Sequence, residues 1–248
     1  MRMRAVTIPN FTGEGSQRFH PKSAPRLEDV VAQQIHLVRH GEVFNPDRVL
    51  YERIPGFGLS DLGMTMAGTA AANIKLRGRS VSRLVASPLQ RTQESAVPFA
   101  KLFDLDIEAD ERLLEPTNAF AGKRMRGPES ALSDVTNWKY LVNPFKPSWG
   151  EPYKQVAARV QQAMLEAALS VEHGDVVLVS HQLTIWMAHR SIAGESLFHD
   201  PRHRRCALSS VTTFELRDSA NPAAGFVEVG YADPAALLAA ESIDVGAV

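Results

Sequence analysis

The chain has 248 residues, a formal net charge of -1, 44% hydrophobic and 22% charged residues. That is ordinary for a globular protein with a sizeable core, and the balanced charge gives no field to steer it onto nucleic acid or an anionic membrane. No apolar run is long enough to cross a bilayer, and the single cysteine, Cys206, excludes an internal disulfide and fits a reducing cytoplasm.

Residues 1–33 read as a flexible arm, because Asn10 to Pro25 is rich in Gly, Ser and Pro. The globular domain is expected over residues 34–230. It opens with a strand, Ile35 to Arg39, and an irregular loop from Val43 to Leu59 broken by Pro46, Pro55, Gly56 and Gly58. Ser60 caps a helix whose Leu62, Met66, Ala70 and Ile74 recur at helical spacing, and Gly78 ends it. Val81 to Ala86 is the second strand. Ser87-Pro88 then reads as a capping serine with proline in the first helical position, and the helix runs to about Phe103. Ile107 to Ala109 is a short third strand.

From 116 to 150 the chain becomes rich in Pro and Gly, with Lys123, Arg124 and Arg126 clustered. It reads as an insertion holding a helical piece from about Glu129 to Leu141. An amphipathic helix follows from Pro152 to Val171. The fully apolar strand Val176 to Val179 ends in Ser180-His181, and a helix runs from about Leu183 to Ile192. Strands are expected at Val211 to Leu216 and Phe226 to Val229, and a loosely held tail at 231–248. The alternation of strands and helices predicts an α/β fold, a three-layer sandwich with a mostly parallel central sheet and a cap insertion.

Three strand exits carry polar groups: Arg39-His40, Arg91 one turn into the second helix, and His181. Parallel strands end on one edge, so these groups can converge in one crevice. Two arginines offer forked donors for phosphoryl oxygens, and His40 offers a nucleophile near neutral pH. The bland alternatives are surface charges. Arg91 would face water beside Glu94, and His181 would be a satisfied histidine at a helix start. Met64, Met66 and Met164 are assigned to the core. His199, Asp200 and His203 could suggest a metal, but the arginines among them favour a solvated basic loop.

Leu37-Val38-Arg39-His40-Gly41-Glu42 resembles the signature of the histidine phosphatase superfamily, the phosphoglycerate mutase-like clan. Ser87-Pro88-Leu89-Gln90-Arg91-Thr92 is similar to its second arginine motif, Leu113-Leu114-Glu115 to the segment of its proton donor, and Val179-Ser180-His181 to its second histidine motif. The resemblance implies that His40 is the nucleophile, that Arg39, Arg91 and His181 hold the phosphoryl group, and that Glu115 protonates the leaving oxygen. The loop after Gly41 departs from the pattern. Val43 stands where a hydroxyl is usual, and Asn45, a candidate substrate contact, comes one residue early. Asp110 and Glu111 remain alternatives to Glu115.

The function expected is a phosphatase for a small phosphorylated metabolite, working through a phosphohistidine with no metal and no cofactor. The insertion, with Phe120, Trp138, Tyr140, Phe145 and Trp149, would cap the pocket. The alternatives are phosphoglycerate mutase-type transfer and a non-catalytic phosphoester-binding module. No nucleic acid or membrane partner is expected, and the reading leaves room for a homodimer.

Overall fold

The structure, a computed structural model, describes residues 32–124, 131, 150–240, 242 and 244. Its centre is a six-stranded sheet: β1 (Ile35–Arg39), β2 (Val81–Ala86), β3 (Ile107–Ala109), β4 (Asp175–Ser180), β5 (Val211–Leu216) and β6 (Phe226–Ala232). The order is β3-β2-β4-β1-β5-β6. The pairings β1–β4, β2–β4 and β2–β3 are parallel, whereas β5 runs antiparallel to both β1 and β6. The helices are α1 (Asp61–Leu76), α2 (Gln90–Phe103), α3 (Tyr153–Leu169), α4 (Gln182–Ile192) and the short α5 (Ala236–Ala239).

Alternation along β4 explains the layers. Val176 and Leu178 face one core with Val160 and Met164 of α3 and Ile185 and Ala188 of α4. Val177 and Val179 face the other, with Ala70 and Ile74 of α1 and Ala96 and Phe99 of α2. A strand covered on both faces has no use for polar alternation, which is why β4 reads as an unbroken apolar run. Where β4 begins, Asp175 accepts from His36 Nε2 (3.0 Å) and from Arg79 Nε and Nη2 (2.6 and 2.5 Å). That buried cluster closes the edge opposite the strand exits.

Register sets the exits side by side. Arg39 pairs with Ser180, and Ala86 with Val179. The ladder then continues past the strands, through His40 N to Ser180 O (3.1 Å) and Ser87 N to Val179 O (3.0 Å). His40, Ser87 and His181, the next residues of three adjacent parallel strands, therefore meet on one edge.

Several expectations change. Ser87 does not cap α2: the helix starts at Gln90 with Leu89 as its N-cap, and Pro88 precedes it. Ser60 does cap α1, accepting from Gly63 N at 3.0 Å. Met66 and Met164 are fully buried, but Met64 is 39% exposed, because its place on α1 points outwards. β6 runs on to Ala232, and beyond it Ala235 is buried against Met66 and Leu208, so this part of the tail is packed rather than loose. The expected helix at 129–141 lies outside the described residues apart from Ala131, as do Arg126, Trp138, Tyr140, Phe145, Trp149 and the arm up to residue 31.

Candidate active site

His40 is held tightly. A Cβ on Gly41 would stand 2.3 Å from Gly63 O, and one on Gly63 would stand 2.0 Å from Glu42 O. Both glycines are needed for the exit of β1 to pass the start of α1. Gly41 N also donates to Ser95 Oγ of α2 at 3.0 Å. The His40 ring donates from Nδ1 to Gly41 O at 2.7 Å, which puts the lone pair on Nε2. Burial, followed by the charges of Arg91 and Arg39, holds this imidazole well below its usual range. It is neutral at neutral pH, the state a nucleophile requires.

The two arginines are the largest fully buried side chains among the described residues. Arg39 donates from Nη1 to Cys206 O (2.8 Å) and from Nη2 to Asp244 Oδ1 (2.6 Å). Arg91 donates from Nη2 to Glu52 O (2.6 Å) and to His181 Nδ1 (3.1 Å), and its guanidinium lies 4.7 Å over the Tyr51 ring. The Nε atoms of both are buried without a hydrogen-bond partner among the described residues. Two buried cationic donors left open beside a histidine make a place for an anion.

His181 is the N-cap residue of α4. Its ring centroid lies 5.3 Å from that of His40. Because Nδ1 accepts from Arg91, Nε2 carries the proton and donates to Ser87 Oγ at 2.9 Å. Burial and then Arg91 hold this ring, too, well below the usual range.

Glu115 reaches the same edge from the segment after β3. Ser180 Oγ donates to Leu113 O (2.7 Å), Thr184 Oγ1 to Leu114 O (2.9 Å) and Arg53 Nε to Glu115 O (2.6 Å). These bonds pin its backbone to β4, α4 and the loop after β1. Its Oε2 is buried without a partner among the described residues. Burial pushes the carboxyl above the usual range, against the opposing charges of Arg91, Arg204 and Arg39. A carboxyl whose hold on its proton is strengthened is suited to act as an acid. Asp110 is engaged instead by Arg112, through its backbone N, Nε and Nη2.

Arg39, His40, Arg91, His181 and Glu115 thus converge, and the surface reading of Arg91 is wrong: the residue is 1% exposed. Glu94 serves other partners, accepting from Leu59 N (2.6 Å) and Gln90 Nε2 (2.8 Å). Asn45 does not join the cluster in this arrangement. Its amide bridges its own loop, bonding Val49 O and Val49 N (2.8 and 3.2 Å). His199 Nε2 accepts from Arg204, and Asp200 pairs with Arg202.

The sequence reading missed Ser87 as the partner of His181, Tyr51 under Arg91, Asp244 on Arg39, and Glu52. Glu52 is a buried carboxyl in the irregular loop, pushed up to about 8 chiefly by burial. Only Ser87 carried a local signal, being the residue at a strand exit.

A family model, the histidine phosphatase superfamily (branch 1), matches residues 35–225. An uncharacterized protein of Mycobacterium tuberculosis is 46% identical over 204 residues, 82% of this chain and 98% of that protein. A protein of Enterobacter sp. named a probable phosphoglycerate mutase is 29% identical over 202 residues, 78% of this chain and 90% of its own. Among solved structures, Entamoeba histolytica phosphoserine phosphatase in complex with 3-phosphoglyceric acid superposes with a TM-score of 0.62 at 19% identity, covering 80% of this chain and 95% of that one. Mycobacterial glucosyl-3-phosphoglycerate phosphatase with inorganic phosphate does so with a TM-score of 0.60 at 23% identity, covering 80% and 96%. The chain belongs to the histidine phosphatase superfamily, branch 1.

Proposed function

We propose that the protein is a phosphatase acting on a small phosphorylated metabolite through a phosphohistidine on His40. One observation carries the reading: a neutral histidine with its lone pair on Nε2 lies beside two buried arginines whose Nε donors are unpartnered. The names of the phosphatases that share the fold agree with it.

The reaction follows from the groups. The substrate's phosphoryl oxygens fill the open donors of Arg39 and Arg91, which neutralise charge and set the phosphorus in line with His40 Nε2. The N–P bond forms as the P–O bond to the leaving group breaks, and Glu115 gives its proton to the departing oxygen. The resulting Glu115 carboxylate takes a proton from water as that water attacks phosphorus. The N–P bond breaks, inorganic phosphate leaves, and His40 is neutral again. Arginine donors supply the charge stabilisation, so activity is expected to persist in excess chelator.

The test is phosphate release from a panel of phosphorylated metabolites, wild type against His40→Ala. Release by wild type alone supports the reading. Interconversion of phosphoglycerates with little release identifies a mutase, and tight phosphoester binding without turnover identifies a binding module.

A further inference from the structure

Glu52 sits between the phosphate-binding and proton-donating halves of this site. Its carbonyl accepts from Arg91 Nη2 at 2.6 Å. Its carboxyl Oε2 accepts from Asn118 N at 2.7 Å, three residues beyond Glu115. The next residue, Arg53, donates from Nε to Glu115 O at 2.6 Å. The backbone of Glu52 has φ 34°, in the left-handed region that non-glycine residues rarely adopt, and the residue is only 6% exposed. A carboxyl-bearing residue kept buried in such a conformation needs a compensating gain.

We infer that Glu52 is a positioning residue, which ties the segment carrying Glu115 to the arginine that receives the phosphoryl group. The inference rests on the reading of Glu115 as the acid. Near the Glu115 carboxyl the fixed points are few. Oε2 has no partner, and a bond from Leu183 N holds the group on one side. Its aim therefore depends on its backbone, which Glu52 and Arg53 clamp from the side of Arg91. The clamp works with a neutral Glu52. Burial keeps a proton on it, so no negative charge forms beside the acid at neutral pH. Glutamine, also neutral and able to accept from Asn118 N, is a conservative replacement; alanine removes the clamp.

The test compares wild type, Glu52→Ala, Glu52→Gln and Glu115→Gln at pH 7 on glycerol phosphate, whose alkoxide needs a proton to leave, and on nitrophenyl phosphate, whose phenolate does not. Expected is a loss of kcat/KM, which reads the phosphorylation step, on the order of tenfold or more for Glu52→Ala on glycerol phosphate, a small misplacement being enough to cost that much. Its loss on nitrophenyl phosphate should be much smaller, the same split as for Glu115→Gln, with Glu52→Gln near wild type on both. If Glu52→Ala does not fold, Glu52→Asp keeps the carboxyl but withdraws it from Asn118, and the same split is expected. Equal losses on both substrates, or none on either, overturn the inference and leave the phosphatase reading standing. A wild type inert on both substrates brings down the phosphatase reading, and this inference with it.

Discussion

Glu52→Gln should make the protein more stable in alkaline solution, and the size of the effect follows from where Glu52 sits. The carboxyl is pushed up from 4.5 to about 8, mainly by burial, with Glu115 adding to the rise and Asn118 N opposing it. A group whose proton affinity is higher in the folded state contributes stability that is complete below pH 4.5 and is lost as the pH climbs through 8. At 1.36 kcal/mol per pH unit the rise is worth at most about 5 kcal/mol, and screening by solvent reaching the loop reduces this to about 2 kcal/mol. Glutamine keeps the acceptor for Asn118 N but has no proton to lose. For a chain of this size the variant should melt about 4–8 °C above wild type at pH 9, and at nearly the same temperature at pH 5. Scanning calorimetry of both proteins from pH 5 to 9 reads this directly, since the other titrating groups cancel in the difference. A difference that does not change with pH, or a variant less stable at pH 9, would refute the assignment of a buried, proton-retaining Glu52.

Three further outcomes are expected. Arg91→Lys keeps the charge but loses the fork that reaches Glu52 O, His181 and the substrate together, so kcat/KM should fall on the order of a hundredfold rather than mildly. Glu115→Gln should lose on the order of a hundredfold on an alkyl phosphate and give a burst of nitrophenolate followed by slow turnover on nitrophenyl phosphate, because the same carboxylate activates water in the second step. Asp244→Asn removes the carboxylate bound to Arg39 Nη2 and should tighten inorganic phosphate, by calorimetry, roughly three- to tenfold, the upper bound being about 1.4 kcal/mol.

How much of this was legible in the sequence depended on what each residue's neighbours are. Arg39, His40 and His181 were readable because a short, mostly apolar strand that stops at a polar residue announces both its burial and its exit. The parallel register then forces those exits together. Arg91 was readable only through its motif, since one arginine in a helix's first turn looks like any exposed charge. Ser87 was misread because Ser-Pro resembles a helix start. The chain spends two more residues, Pro88 and Leu89, before α2 begins, and the hydroxyl goes to His181. Tyr51 and Glu52 lie in a loop without periodicity, and their partners Arg91 and Asn118 are 39 or more positions away in sequence. No local pattern encodes such contacts. Asp244 meets Arg39 from 205 residues away, at an end of the chain whose composition suggested only slack.

In the proposed reaction phosphate passes through Nε2 of His40. The most direct measurement is to mix the protein briefly with labelled substrate, quench without acid, and locate the label by peptide mapping. Phosphate is expected on His40, chased off by further incubation and absent in His40→Ala. Label on Ser87 or Ser180, or full turnover by His40→Ala, would contradict it.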